Sequence, residues 1–326
     1  MRYIKRISAS EVRRRVDDAA LMQALRQAFV GLHSGRNQQP RETKFPLPDE
    51  RGDCIFYPAL DFDGGVIGMN VSPLIFSLAE RGQSPVTAYT LLLSAHTGVP
   101  IALVEAMALT ALRTAAVSHL AASLLCDCAG KVLTIVGAGP LGIEHARMAR
   151  DSNTWGRVIV ASPSLSDRKS PNYPKRIGEL KRLGKGIDIA EDVRGAVGNA
   201  SVLMLCTSSG VPVVQPSWLG SNLECITSIS TNSPSAHEIP LECLNDFDVY
   251  CDYRPTAPTT AGDMVLAGER QVWGPNAIKA DLPELTAGAA DLDPRDSRRI
   301  KYFRSTGLGI EDAVVARLYC ASLGLR

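Results

Sequence analysis

A glycine-rich segment near the middle of the chain has the residue types and spacing needed to hold a ligand that contains phosphates. It reads Gly137-Ala138-Gly139-Pro140-Leu141-Gly142. Gly137 permits a tight turn, Gly139 leaves room for a pyrophosphate beside the backbone, and Gly142 allows a helix to pack closely on a strand. A helix that begins here presents free N–H groups and the positive end of its dipole to phosphates. The pattern predicts dinucleotide binding, and the alternative is an ordinary strand-to-helix turn.

The side chains that follow the next apolar run bear on which dinucleotide is bound. NAD sites normally carry Asp or Glu about 20 residues after the glycines, where the carboxylate accepts hydrogen bonds from the ribose hydroxyls. In this chain Ser162 and Ser164 occupy that region, and Arg168 follows. Hydroxyl groups and a guanidinium can bind a 2′-phosphate, whereas a carboxylate would repel it. We therefore expect NADP(H) to be favoured over NAD(H); the alternative is a solvated loop in which Asp167 reaches the ribose.

The elements that must position these residues follow from the apolar pattern. The run 132–136 does not alternate, which is typical of a buried parallel strand. Leu141, His145 and Met148 then share one stripe at helical spacing. Strand and helix patterns continue to alternate up to about residue 300. The fold class predicted is α/β, with a Rossmann-type doubly wound parallel sheet.

The flanking regions predict a second, α+β domain. An apolar stripe predicts a helix from Glu11 to about Leu32, and four strand patterns between residues 54 and 105 predict an antiparallel or mixed sheet. An alanine-rich helix at 109–126 leads to the glycine-rich strand, and a last helix is expected at 309–325.

Composition narrows the classes of partner. The 326 residues include 35 basic and 34 acidic side chains, so no strong field favours a nucleic acid or an anionic membrane. No apolar stretch reaches the roughly 20 residues that span a bilayer, and the N-terminus turns polar too early for a signal peptide. The eight cysteines are scattered without the spacing of a metal site. We expect reduced thiols, a cytoplasmic location and no bound metal.

Taken together, five segments resemble the ornithine cyclodeaminase/mu-crystallin family over nearly the whole chain. These segments are Leu109–Ser118, Gly137–Gly142, Cys206–Ser209, Ser233–Ile239 and Ser305–Ala313. The resemblance implies a dinucleotide-binding Rossmann domain at 127–307 and a substrate-binding and dimerisation domain built from 1–126 and 308–326. It also implies a homodimer, and hydride transfer between nicotinamide and the α carbon of an amino acid by way of an imine.

The resemblance assigns roles to individual residues as well. Arg113 matches the arginine that holds the substrate carboxylate, although a structural salt bridge is the alternative. Arg41 resembles a second carboxylate-binding arginine, against the alternative of a surface-loop charge. Thr114 and Thr207 are expected to line the cofactor, unless they are local caps.

Two departures from the family pattern concern proton transfer. Met69 aligns with a lysine common in the family, with Asn70 beside it, and Asn232 aligns with the aspartate of the cyclodeaminases. A thioether donates no proton, and an amide is no general base near neutral pH. His237 is a candidate replacement proton carrier.

The sequence leaves two roles open for each of three further residues. Tyr57 is expected either to donate a hydrogen bond to the substrate or to be a half-buried strand residue. Glu311 and Asp312 either reach the nicotinamide or cap the last helix.

The reaction favoured by these observations is reduction of an imine or ketimine of an amino acid by NAD(P)H, or the reverse oxidation of the amine. Reduction of an imine that is already protonated depends less on a general acid than cyclodeamination does. One alternative is an amino-acid cyclodeaminase that retains bound NAD. The other is a non-catalytic protein of the mu-crystallin type that binds NADP(H) and a small ligand.

Overall fold

The computed structural model describes residues 4–8, 16–230, 233–291, 293, 295 and 297–325. Its contacts divide the chain into two compact units, one of residues 1–113 with 308–326 and the other of residues 114–307. The division falls within the alanine-rich helix, whereas the sequence analysis placed it at the C-terminal end of that helix. Elements are numbered along the whole chain.

The first unit is built on a six-stranded mixed sheet. Its strands are β1 (Lys5–Ile7), β2 (Thr43–Pro46), β3 (Gly52–Asp61), β4 (Val66–Ile75), β5 (Tyr89–Ser94) and β6 (Pro100–Glu105). They lie in the order β1-β6-β5-β4-β3-β2. Only the β1–β6 pair is parallel among these described strands; β2 to β6 form an antiparallel meander. The predicted antiparallel or mixed sheet is therefore present.

Three helices belong wholly to this unit: α1 (Asp18–His33), α2 (Phe76–Glu80) and α12 (Gly309–Ser322). Asp17 caps α1 by accepting a hydrogen bond of 2.8 Å from the backbone N–H of Ala20. The predicted start at Glu11 lies outside the described residues, and residues 16 and 17 precede the helix. The predicted apolar stripe is present, and its buried residues are Leu21, Ala24, Leu25, Ala28, Phe29 and Gly31.

Alternation along the strands gives the first sheet two different faces. One face packs against α12 so closely that a β-carbon on Gly68 would lie 2.5 Å from that of Ala313. The opposite face carries the partly exposed apolar side chains of β3, β4 and β5, among them Leu60, Ile67 and Met69. They line a groove of about 380 Å³, which we call the apolar groove.

The second unit contains the predicted parallel sheet. Its eight strands are β7 (Val132–Val136), β8 (Arg157–Ala161), β9 (Asp188–Ala190), β10 (Val202–Leu205), β11 (Cys225–Ser228), β12 (Asp248–Cys251), β13 (Ile278–Asp281) and β14 (Lys301–Arg304). They lie in the order β13-β12-β14-β11-β10-β7-β8-β9, and every pair is parallel. Strands β7, β10, β11 and β12 are almost wholly buried, as is typical of parallel strands whose two faces are both covered.

Helices connect these strands. They are α4 (Pro140–Ser152), α5 (Pro163–Ser166), α6 (Tyr173–Arg182), α7 (Val193–Gly198), α8 (Cys243–Asp246), α9 (Ala257–Thr260), α10 (Gly262–Glu269) and α11 (Leu282–Ala287). Short 3-10 turns occur at Pro48–Glu50, Pro216–Trp218 and Pro275–Ala277. The observed α/β architecture confirms the predicted fold class.

The alanine-rich helix α3 (Met107–Leu125) crosses the division between the units. Of the described helices, it alone has the length and apolar composition that could cross a membrane, and 78% of its most apolar window is buried inside the protein. A buried core helix can have the same length and apolar composition.

Candidate functional site

Two sets of side chains have the chemistry expected of the reaction, one set in each unit. In the second unit, the glycine-rich turn links β7 to α4 as predicted. Gly137 has a φ of 121°, in the left-handed region that favours glycine, and Gly139 is the N-cap of α4. A β-carbon on Gly142 would lie 1.9 Å from the carbonyl oxygen of Gly137, so the helix packs against the turn as closely as the motif requires.

Gly139 occupies different surroundings from the other two glycines. A β-carbon built on it meets no atom within 4 Å, so space is open beside the backbone at the start of α4. Ala138 is buried, while Pro140 and Leu141 form the first turn of a 13-residue helix. An open cradle at a long helix N-terminus fits the pyrophosphate of a nicotinamide dinucleotide.

The end of β8 carries hydroxyl groups and no carboxylate. Ser162 caps the short helix α5, and its hydroxyl lies 3.0 Å from that of Ser164. Arg168 is exposed and forms an ion pair of 2.9 Å with Glu191, which is also exposed. Exposed ion pairs contribute little stability, so Arg168 can exchange this partner for a phosphate at small cost.

Thr207 lies just beyond β10 and is tied to a buried carboxylate. Both its backbone N–H and its hydroxyl donate hydrogen bonds of 2.7 Å to Oε1 of Glu238. Oε2 of Glu238 accepts from the hydroxyl of Ser228 and from the N–H of Ser230. Burial raises the pKa of Glu238, and the hydrogen bonds from Thr207 and Ser228 oppose that rise. The hydroxyl that was expected to line the cofactor therefore holds Glu238.

The other predicted site residues of this unit are Asn232, His237 and Thr114. Asn232 lies outside the described residues. His237 is half-buried, and its Nδ1 lies 3.4 Å from the carbonyl oxygen of Ser235. Thr114 is buried on α3.

In the first unit, Arg113 is the centre of a buried cluster of charged side chains. Its Nε donates a hydrogen bond of 3.0 Å to Oδ1 of Asp312, and its Nη1 donates one of 3.0 Å to Oε2 of Glu311. Burial lowers the pKa of Arg113, but Asp312 and Glu311 outweigh that effect and raise the pKa above its ordinary value. Neither ion pair uses Nη2, the second terminal nitrogen of the guanidinium.

The fourth member of this cluster is Asn70, not Met69. The Nδ2 of Asn70 donates a hydrogen bond of 2.7 Å to Oδ2 of Asp312, and Asn70 pairs with Tyr57 across the β3–β4 ladder. Met69 lies on the opposite face of β4, where it lines the apolar groove. Met69 was predicted among the substrate-binding residues, but strand alternation separates it from Arg113. We call Asn70, Arg113, Glu311 and Asp312 the Arg113 cluster.

The other candidates of the first unit differ in burial. Tyr57 is buried on the same face of the sheet as Asn70, and its charge interaction contributes to the raised pKa of Arg113. Arg41 is exposed in the loop before β2, and its role in binding a carboxylate stays a prediction. Glu311 and Asp312 bind Arg113 from the first turn of α12. A salt bridge was the alternative role left open for Arg113, but its two partners were not predicted.

Sequence reasoning also missed Asp252, at the end of β12. Its carboxylate accepts hydrogen bonds from the backbone N–H groups of Thr306 and Gly307 and from the hydroxyl of Thr306. Burial raises the pKa of Asp252, while those donors lower it. Asp252 thus fixes the backbone of the segment that begins the C-terminal family signature. No local pattern marks a lone aspartate after a strand for this role.

In the part of the chain that the structure describes, no group of three or more His, Cys, Asp or Glu side chains is arranged to hold a metal ion.

Comparison with known proteins places these features in context. The sequence profile described as "Ornithine cyclodeaminase/mu-crystallin family" matches residues 3–322. The NAD(P)H-dependent anabolic L-arginine dehydrogenase DauB of Pseudomonas aeruginosa is 38% identical over 315 residues, which are 96% of this chain and 94% of that protein. The ketimine reductase mu-crystallin of Mus musculus is 25% identical over 316 residues, 96% of this chain and 95% of that protein.

Solved structures show the same fold. The Δ1-pyrroline-2-carboxylate reductase of Thermococcus litoralis, in complex with NADH and L-proline, superimposes with a TM-score of 0.88 at 25% identity and 99% coverage of both chains. An archaeal alanine dehydrogenase dimer with bound NAD has a TM-score of 0.85 at 25% identity, covering 98% of this chain and 95% of that one.

Proposed function

The chain belongs to the ornithine cyclodeaminase/mu-crystallin family, and from this premise we propose that it is an NAD(P)H-dependent oxidoreductase acting on a C–N bond. It reduces the imine or ketimine of an amino acid, or oxidises the amine in the reverse direction. The relatives that are similar over almost the whole chain include an amino-acid dehydrogenase and reductases of ketimines and cyclic imines.

One observation carries the proposal for the substrate. Arg113 is nine-tenths buried, and Nη2 stands outside both of its ion pairs. Glu311 and Asp312 fix the plane of the guanidinium, so Nη2 has a set direction in which to donate to a substrate carboxylate. Arg113 therefore binds and orients the substrate.

The dinucleotide is held by the turn from Gly137 to Gly142, where the N–H groups at the start of α4 donate hydrogen bonds to the pyrophosphate. When bound, the nicotinamide supplies hydride to the imine carbon or removes it from the amine. We propose NADP(H) as the preferred cofactor, because Ser162 and Ser164 occupy the end of β8 where NAD sites have a carboxylate. Arg168 follows them and is exposed, so it can bind a 2′-phosphate.

Proton transfer in this chain has few candidates. Asn70 contributes an amide to the Arg113 cluster, and an amide neither gives nor takes a proton near neutral pH. A substrate that arrives as the protonated imine needs no acid at its nitrogen. His237 remains our candidate for proton exchange where the reverse reaction requires a base.

We also propose that the protein is a cytoplasmic homodimer. The apolar groove leaves Ile67 exposed to 40%, and a second copy that covers β3, β4 and β5 would remove it from water. The alanine dehydrogenase of the same fold is a dimer. All eight cysteines are free and buried, as expected in a reducing compartment.

The test is a fluorescence titration of the full chain with NADPH and NADH, followed by a panel of α-imino acids and by the reverse reaction with amino acids. L-Arginine comes first in the reverse panel, because the relative at 38% identity is an arginine dehydrogenase. Oxidation of NADPH with one imine supports the proposal. Tight nucleotide binding with no turnover of any imine or amino acid would contradict it and favour a non-catalytic binding protein. Release of ammonia without net cofactor turnover would point to a cyclodeaminase.

A further inference from the structure

The strand order of the second sheet marks the place where a dinucleotide binds. From β7 the sheet continues through β8 and β9 on one side, whereas the next strand in the chain, β10, lies on the other side of β7. In open parallel sheets, ligands bind at such a reversal, in the crevice outside the carboxyl ends of the strands. The crevice therefore lies between the Gly137–Gly142 turn, which follows β7, and the segment that follows β10.

The segment after β10 packs directly against the glycine-rich turn. The backbone N–H of Cys206 donates a hydrogen bond of 2.8 Å to the carbonyl oxygen of Val136. A β-carbon on Gly137 would lie 2.4 Å from the carbonyl oxygen of Cys206 and 3.3 Å from Cγ2 of Thr207. The position of Thr207 therefore determines the shape of the crevice beside the turn.

Glu238 holds this segment and the segment after β11 at the same time. Its Oε1 accepts two hydrogen bonds from Thr207, and its Oε2 accepts one each from Ser228 and Ser230. The hydroxyl of Thr207 also accepts a hydrogen bond of 3.2 Å from the N–H of Ser209, while its one proton is donated to Glu238. A single carboxylate thus fixes the chain beyond two neighbouring strands.

The backbone of Ser230 is strained at the point where Glu238 holds it. Ser230 has a φ of 41°, in the left-handed region that residues other than glycine seldom adopt. Such a conformation persists only where the surrounding contacts determine it, and one of those contacts is the hydrogen bond of 2.9 Å from its N–H to Oε2 of Glu238. We expect this segment to relax when the carboxylate is lost.

The two sides of the crevice serve different halves of the dinucleotide. A dinucleotide spans the two halves of such a sheet, and the group at the end of β8 contacts the ribose of the adenosine half. The nicotinamide half therefore belongs to the side of β10 and β11, where Glu238 fixes the chain.

We propose that Glu238 is a positioning residue, which holds the segments after β10 and β11 as the wall of the crevice that receives the nicotinamide half. Glu238 is 0% exposed, so it acts through Thr207 and Ser230. The inference rests on the proposed function and assigns a further residue to its nucleotide site.

The test compares a whole dinucleotide with its adenosine half. Dissociation constants are measured on the full chain for NADPH, by fluorescence titration, and for 2′,5′-ADP, which lacks the nicotinamide, by calorimetry. If the wild-type protein binds NADH more tightly, NADH and ADP take their place. In Glu238→Gln the amide nitrogen cannot accept a hydrogen bond, so one of the two segments loses its acceptor. We expect Kd for NADPH to rise about 10-fold and Kd for 2′,5′-ADP to stay within about twofold.

Asp281→Asn is the matched control. Asp281 is also a buried carboxylate, and it accepts hydrogen bonds of 3.0 Å from the backbone N–H groups of Arg254 and Glu284. It ends β13, the edge strand of the sheet on the side of β10 and the farthest from β7 on that side. Asp281→Asn should lower the midpoint of urea denaturation, because it loses a buried carboxylate, and should leave both dissociation constants unchanged.

Ser228→Ala is a milder variant at the same contact. Ser228 is 0% exposed, and its hydroxyl donates a hydrogen bond of 2.7 Å to Oε2 of Glu238. Its loss should raise Kd for NADPH about threefold without changing Kd for 2′,5′-ADP. If Glu238→Gln does not fold, Ser228→Ala decides the question alone.

An equal rise of Kd for both ligands would overturn the inference. So would an unchanged Kd for NADPH in the variants of Glu238 and Ser228 that circular dichroism shows to be folded, or a selective loss of NADPH binding in Asp281→Asn. The two proposals fail separately. Selective loss of NADPH binding in a protein that transfers hydride to no imine rejects the proposed function and keeps the role of Glu238. Turnover of an imine together with an unselective loss rejects the role of Glu238 and keeps the function.

Discussion

The α-carbon of Gly142 approaches the carbonyl oxygen of Gly137 so closely that a β-carbon at residue 142 would lie 1.9 Å from that oxygen. Gly142→Ala should therefore displace α4 from the turn, lower the free energy of unfolding by about 1–3 kcal/mol and abolish tight nucleotide binding. Urea denaturation and NADPH titration measure the two effects.

Gly139→Ala is the matched control for this substitution. Its β-carbon meets nothing within 4 Å, and its φ of −75° suits alanine. The unfolding curve should stay that of the wild type while NADPH binding weakens. Loss of stability in Gly139→Ala, or wild-type stability in Gly142→Ala, would contradict the roles given to these glycines.

Substitution of Arg113 tests both its structural and its binding role. Arg113→Ala leaves two buried carboxylates without their cation, and the free energy of unfolding should fall by about 3–5 kcal/mol. Arg113→Lys retains the charge but loses the planar fork, and kcat/KM should fall by about 100-fold with NADPH affinity unchanged. Arg317→Lys, at a half-buried ion pair with Asp61, should leave kcat/KM unchanged. Near-normal kcat/KM in Arg113→Lys would remove the carboxylate-binding role.

Substitution of Arg168 tests the cofactor preference. Arg168→Ala removes the guanidinium expected to contact the 2′-phosphate, so KM for NADPH should rise by about 10-fold while KM for NADH stays within about twofold. Arg157→Ala removes another exposed arginine, at the opposite end of β8, and should affect neither cofactor. An equal effect of Arg168→Ala on both cofactors would argue against a phosphate contact.

Stability should depend on pH through His145. Burial, together with His119, lowers the pKa of His145 from 6.5 to about 3. Between pH 6.5 and pH 3, His145 binds a proton in the unfolded chain but stays neutral in the folded protein. The free energy of unfolding should therefore fall as the pH falls from 6.5 towards 3, by about 1.4 kcal/mol per pH unit from this group.

His145→Gln should remove that component of the slope between pH 6.5 and pH 5, above the range where carboxylates dominate. His33→Gln, at an exposed histidine, should leave the slope as it is. Urea denaturation at several pH values gives both slopes, and identical slopes for His145→Gln and the wild type would contradict a neutral buried histidine.

If the apolar groove forms the interface of the proposed dimer, a charged side chain in the groove should dissociate the dimer. Ile67→Glu places a carboxylate in the apolar groove and should convert the protein to a monomer, as measured by light scattering. Val99→Glu changes an apolar residue of similar exposure outside the groove and should leave the mass unchanged. A monomeric wild-type protein would refute the proposal outright.

The features that the sequence predicted well depend on short stretches of chain. The turn at Gly137–Gly142 is encoded within six residues, and the structure has the expected strand before it and helix after it. The predicted family, fold class and type of reaction are confirmed by the family profile and by the relatives.

The features that the sequence predicted poorly depend on contacts between residues far apart in the chain. Whether Met69 or Asn70 faces Arg113 is a question of one residue of register, which only the pairing of β4 with β3 decides. Strand β14 escaped prediction because it begins and ends with charged residues. Its buried Arg304 is tolerated because Asp263, from α10, forms an ion pair with it.

The discontinuity of the first unit has a consequence for biosynthesis. The ribosome synthesises all six strands of the first sheet before it begins the second unit, yet the helix that covers the sheet, α12, is translated only after that unit. During the interval, Arg113 lacks Glu311 and Asp312, and the face around Gly68 stays open to other nascent chains and to chaperones. The order of translation thus delays the contacts between α12 and the first sheet until the second unit has been synthesised.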